Sequence, residues 1–151
     1  MKFLVKDKQK DRHKKIRSYL TDEDCSIAVL LATIDLEWTI RRSLYALSNA
    51  SLAELREERI SGLDRYARNW EKKLKMDFPL KLEISSWEEL KEAFELRNAL
   101  THGAQGSSGL KYCTKQVSRM LAASVALYEF GINHNPSVNI YKRLLSKKGG
   151  F

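Results

Sequence analysis

The chain has 151 residues, 43% of them hydrophobic and 30% charged, which suits one globular domain with a modest core and is too little for two independent ones. No run of eighteen apolar residues is present and the Lys-rich start lacks an apolar segment with a cleavage site, so neither a membrane span nor a signal peptide is expected, and a cytoplasmic location is. The net charge of +8 is concentrated at the ends, with +6 over residues 1–20, +4 over residues 141–151 and a centre two units negative. Basic ends suit a phosphate-rich partner, because each neutralised phosphate releases condensed counterions, and they serve solubility equally well.

In chain order, residues 1–20 read as a basic arm or a helix around Ile16 and Tyr19. Lys14 and Lys15 within it are candidate RNA contacts, and His13 is expected to face solvent or the backbone. Thr21, followed by Asp22, Glu23 and Asp24, marks a helix start, since a hydroxyl caps a free amide and acids favour the positive helix end. Ile27, Leu30, Leu31, Ile34, Trp38 and Leu44 recur at helical spacing, predicting a helix to about Leu47. Val29 and Leu36 lie off that stripe, so this helix is expected to be the centre of a bundle. Arg41 and Arg42 near its end are candidate RNA-backbone contacts, or a solvated pair favoured at a helix carboxyl end.

Ser51 opens a predicted short helix ending near Ser61 and Gly62. Leu63, Tyr66, Ala67, Trp70 and Leu74 define an amphipathic helix that stops before Pro79. Leu80 to Ile84 is expected as extended linker. Ser86 and Glu89 form a capping-box pattern opening the next helix, which ends at Gly103. The glycine- and serine-rich stretch from Gly103 to Gly109 reads as a connection. Val117, Leu121, Val125 and Tyr128 mark the last long helix, ending at Gly131. A basic tail follows, with Tyr141, Leu144 and Leu145 sufficient for one docking turn.

The expected fold is therefore an all-α antiparallel bundle of four main helices with a short additional helix and basic terminal extensions. It divides into residues 1–20, a bundle over 21–132 and a tail over 133–151. Cys25 and Cys113 cannot make a disulfide framework and are expected as structural, reduced cysteines. Three dispersed histidines and two distant cysteines give no zinc spacing, so no metal or other cofactor is expected.

The chemistry-bearing stretch is Arg97-Asn98-Ala99-Leu100-Thr101-His102. On a helical wheel Trp87, Leu90, Ala93, Phe94 and Leu100 form an apolar arc that includes Arg97, with Asn98 and His102 together on its edge. A guanidinium placed there needs an acid, solvent or a second subunit, because an unpaired buried charge is very costly. Imidazole titrating near neutrality moves protons, and arginine holds phosphate through paired hydrogen bonds. Structural roles are open to the same residues: Arg97 pairing with a neighbouring acid, Asn98 bonding locally, His102 capping the helix end. Tyr112, after the glycine-rich connection, either stacks on a base or anchors the last helix. His134, between two asparagines, reads as a turn residue.

The Arg-Asn-x-x-x-His pattern near the end of an internal helix, within a small helical bundle, resembles the HEPN superfamily, and most of all its Arg-x4-6-His ribonuclease branch. That resemblance spans residues 20 to 132 in helix order and rests on Arg97, Asn98 and His102 in motif. It implies a metal-independent endoribonuclease, dimeric, with two motifs meeting across a cleft. His102 would move the proton at the 2'-hydroxyl or the leaving 5'-oxygen, Arg97 would hold the scissile phosphate, and Asn98 would orient phosphate or imidazole. Members are often toxins or antiviral effectors, with an antitoxin or regulatory partner; others are noncatalytic RNA- or nucleotide-binding proteins.

Overall fold

In a computed structural model, residues 8–48, 62–81, 84–103 and 108–134 are described. Five α-helices lie among them: α1 (Gln9–Ser18), α2 (Cys25–Leu47), α3 (Leu63–Leu74), α4 (Ile84–Thr101) and α5 (Leu110–His134), with a 3-10 turn at Pro79–Lys81 before α4. The all-α bundle read from periodicity is the observed architecture. The predicted short helix from Ser51, the docking turn at Tyr141, Leu144 and Leu145, and the extreme ends lie outside the described residues.

α2 is the central element, packed against each of the other four helices and most extensively against α5. Which of its faces is inside differs from the expected stripe. Ile27 and Ile34 are each 42% exposed, while Ala28, Val29, Ala32, Leu36 and Ile40 form the buried side. Hydropathy alone favoured the larger residues. The buried side mixes small residues, Ala28 and Ala32, with larger ones, Val29, Leu36 and Ile40, and the small side chains let neighbouring helices approach closely. Thr33 satisfies its hydroxyl on the Val29 carbonyl at 2.9 Å and lies 3.3 Å from the Met120 sulfur of α5.

The second surprise is α1. Its sequence is strongly polar, yet Arg12, His13 and Ile16 are buried on one face. Arg12 Nε donates to Asp35 Oδ1 at 2.7 Å, His13 Nε2 lies 2.8 Å from Oδ2, and Ser124 Oγ donates to Oδ2 at 2.9 Å. His13 is thus a core residue rather than a solvent-facing one. Burial alone would raise the Asp35 carboxyl, but the His13 hydrogen bond and the Arg12 charge outweigh it and hold it below its usual value. Lys10, Lys14 and Arg17 occupy the outer face of α1.

The far end of the bundle is closed by aromatic rings. Trp70 of α3 is fully buried against Phe78 (centroids 5.4 Å) and Phe130 of α5 (6.3 Å), and Phe78 meets Trp87 of α4 edge-on at 6.0 Å. Tilted and edge-on pairs are the geometries that ring quadrupoles favour. This junction ties α3, α4 and α5 to the turn preceding Pro79.

Helix ends follow the expected residues in some places only. The Thr21 hydroxyl accepts the Asp24 amide at 3.2 Å, giving one turn before α2 proper begins. α4 starts at Ile84, two residues before the capping-box Ser86, so Ser86 lies inside the helix. Leu80 falls in a 3-10 turn rather than extended linker. Gly103 takes a left-handed φ of +73° and terminates α4 as expected. Gly131 does not end α5, which begins at Leu110 and runs on to His134; a glycine stops a helix only where it leaves helical geometry.

Candidate functional site

Arg97, Asn98 and His102 occupy the last turns of α4, and all three retain contact with solvent. His102 follows the final helical residue, its amide donating to the Asn98 carbonyl at 2.9 Å, so the imidazole hangs from a helix end held in register. Neither the Asn98 amide nor the His102 ring has a side-chain partner among the described residues.

Arg97 is braced. Its Nη1 lies 3.1 Å from Glu37 Oε1 on α2, with the two side chains 21% and 19% exposed, and its guanidinium sits over the Phe94 ring at 5.5 Å. Arg97 Nε is buried without an acceptor among the described residues, so Glu37 satisfies only part of the group. Glu37 Oε2 accepts the Tyr66 hydroxyl of α3 at 2.7 Å, and Arg41 Nε donates to the same hydroxyl at 3.3 Å. Burial and the neighbouring Glu37 push the Tyr66 phenol up to about 12, so it remains a donor at any physiological pH. Arg41, one turn beyond Glu37 on α2, lies 5.8 Å from the Tyr66 ring centroid. Three helices therefore converge on a polar patch in which Arg97 pairs with the Glu37 carboxylate and Arg41 donates to the phenol that Glu37 accepts from.

Glu37 and Tyr66 were not singled out from the sequence. Glu37 and Arg41 stand four residues apart, the spacing that places them together on one helix face, and that was the readable signal. Tyr66 was read only as part of an amphipathic stripe; an aromatic ring with a polar tip serves both purposes.

The other candidates are scattered. Arg42, expected at the surface, is buried, with its guanidinium 5.0 Å from the Trp38 ring centroid, because the end of α2 is covered on that side. Lys14 is exposed and Lys15 half-buried on α1. The exposed Tyr112 donates to Glu92 at 2.9 Å, and Arg119 also reaches Glu92 at 3.0 Å. These two hydrogen bonds hold Glu92 below its usual value, while partial desolvation and Glu92 push Tyr112 upward. Glu92 precedes His102 by ten residues on α4, about 15 Å of helix, so the phenol is drawn away from the motif. His134 stacks on Phe130 at 5.5 Å, at the aromatic end of the bundle, whereas His102 stands where α4 leaves it.

A groove of about 520 Å³ between α4 and α5, lined by Pro79, Leu80, Leu90, Arg119 and Ala126, shares no residue with the Arg97 patch. Asn98 and His102 are exposed, whereas Arg97 is largely covered. Among the described residues no three His, Cys, Asp or Glu side chains group as a metal site, and no helix is long and apolar enough to cross a membrane. Compared with known protein families, characterised proteins and solved structures, the chain matches none.

Proposed function

We propose that this protein is a metal-independent endoribonuclease that cuts single-stranded or looped RNA. The observation that carries the reading is the accessible run Arg97, Asn98 and His102 at the end of α4, with Arg97 braced by Glu37 beside a second cation, Arg41.

In this mechanism the RNA 2'-hydroxyl loses its proton and attacks the adjacent phosphorus, while the bond from phosphorus to the 5'-oxygen breaks. The products are a 2',3'-cyclic phosphate and a 5'-hydroxyl. His102 accepts the first proton or supplies the one taken by the leaving oxygen. Arg97 holds the non-bridging oxygens as charge develops on them, and Asn98 orients the phosphate or the imidazole. Arg41 supplies a second positive group to the RNA backbone, and Lys14 and Lys15 add affinity from α1. Arg97 and His102 are separated by about 140° around the α4 axis. A homodimer that brings two motifs together closes that gap and lets one imidazole act as base and the other as acid. Such an enzyme would serve as a toxin or antiviral effector, restrained by an antitoxin or other regulatory protein.

The test is cleavage of single-stranded RNA by the purified full chain in excess chelator. His102→Ala should abolish cleavage with helix content unchanged, and Arg97→Ala should reduce it by two orders of magnitude or more, roughly the value of one lost transition-state donor. Wild-type rates in the His102 variant would refute the catalytic assignment. A second reading, a noncatalytic RNA- or nucleotide-binding protein, is favoured by the pairing of Arg97 with Glu37 and by the lack of an acid orienting His102 among the described residues. It predicts RNA retention without any scission.

A further inference from the structure

Cys25 heads α2 and Cys113 lies in the first turn of α5, 88 residues apart in sequence. Both side chains are sealed from solvent, at 2% and 0% exposure. Their sulfurs converge on one acceptor, the Ser108 carbonyl: Cys25 Sγ donates to it at 3.3 Å and Cys113 Sγ lies 3.9 Å from it. One carbonyl oxygen thus gathers both thiols. Ser108 is the last residue but one of the Gly103–Gly109 connection, six residues after His102.

We infer that Cys25 and Cys113 form a redox-convertible pair that a small organic disulfide oxidises to an intramolecular cross-link between α2 and α5. This inference stands independently of the nuclease proposal. It follows from placement: two buried thiols gathered on one carbonyl oxygen reach bonding distance through side-chain rotation and closing of two helix ends. Burial pushes the Cys113 thiol up to about 11, so it rests protonated at neutral pH. Opening of the first helical turns, where helices fray, admits the oxidant. Cys25 as thiolate attacks one sulfur of the oxidant, whose sulfur–sulfur bond breaks and releases one thiol. Cys113 then attacks the Cys25 sulfur of the mixed disulfide and expels the second. Two electrons pass to the oxidant, and the two cysteine protons end on the two released thiols.

The chemical consequence lies at Ser108. A disulfide has no S–H, so oxidation removes both thiol donors from that carbonyl while stapling α2 to α5. The carbonyl must then find another donor or turn to water. Oxidation thus couples a cross-link in the core to the backbone that leads away from His102.

The experiment uses the wild-type full chain, which holds no other cysteine. It is equilibrated in glutathione buffers of rising disulfide fraction at about pH 8, where free thiols begin to ionise, then quenched in acid, unfolded and alkylated. The expected product is a monomer lighter by two hydrogens that takes up no alkylating agent, with the Cys25 and Cys113 peptides recovered as one species. Both cysteines alkylating across the whole series would overturn the inference, as would glutathione adducts or chain-to-chain dimers as the sole oxidised forms. Cys113→Ser is expected to stop at a glutathione adduct on Cys25. Hydrogen exchange in the peptide from His102 to Cys113 should quicken on oxidation; unchanged exchange in the cross-linked protein would overturn the coupling to Ser108.

Discussion

Glu37 determines what Arg97 can do. A guanidinium on a mostly packing helix face needs a counter-charge, and Glu37 supplies it at 3.1 Å while also accepting from Tyr66. Replacing Glu37 with Gln leaves shape and some hydrogen bonding but removes the charge. The expected cost is about 1–2 kcal/mol, the scale of one hydrogen bond to a charged group, measured by urea unfolding. For the proposed enzyme the same variant should lower kcat, because Arg97 is no longer held, without weakening RNA binding, because a competing anion is gone. Weakened binding with unchanged kcat would instead make Glu37 part of the RNA contact. Arg97 was legible in the sequence because a cation inside an apolar arc is anomalous. Its acid was not, since a helical wheel says which residues share a face of one helix but not which neighbouring helix that face meets.

At the scale of helices, α1 is the element whose sequence misleads most. Its positive charge reads as a solvated arm, yet two of its side chains, Arg12 and His13, reach a buried carboxylate on α2 that also binds Ser124 of α5. Breaking a buried ion pair strands a charge, so Asp35→Asn should destabilise the fold by about 3–5 kcal/mol in thermal or urea unfolding. Because Asp35 ionises more readily when folded than when unfolded, its contribution is fully present above the ordinary value of 3.8 and disappears as pH falls below it. The acid limb of a stability profile should therefore be steep in the wild type below about pH 4 and shallower in Asp35→Asn; parallel profiles would contradict this role for Asp35. The long helices themselves were legible from periodicity. Burial on more than one side of α2 was legible from Val29 and Leu36 off its stripe; the exposure of Ile27 and Ile34 was not, because periodicity does not say which apolar face a neighbouring helix covers.

For the whole molecule, the aromatic junction of Trp70, Phe78, Trp87 and Phe130 fixes α3, α4 and α5 together at the start of α4, whose last turns carry the motif. Trp70→Ala should cost about 3–5 kcal/mol, read as a lowered melting temperature. In the proposed enzyme the basic residues of α1 would act separately and at long range: replacing Lys14 and Lys15 together should weaken RNA binding and flatten its salt dependence while leaving the rate of bound RNA cleavage unchanged. The most direct measurement of the central claim is the chemistry of the cut ends. RNA treated with the full chain in excess chelator should yield fragments whose 5'-hydroxyls accept phosphate from a kinase without prior phosphatase treatment, and whose 3' ends resist extension until the cyclic phosphate is opened and removed. Fragments with 5'-phosphates, or cleavage that vanishes with the chelator, would contradict it.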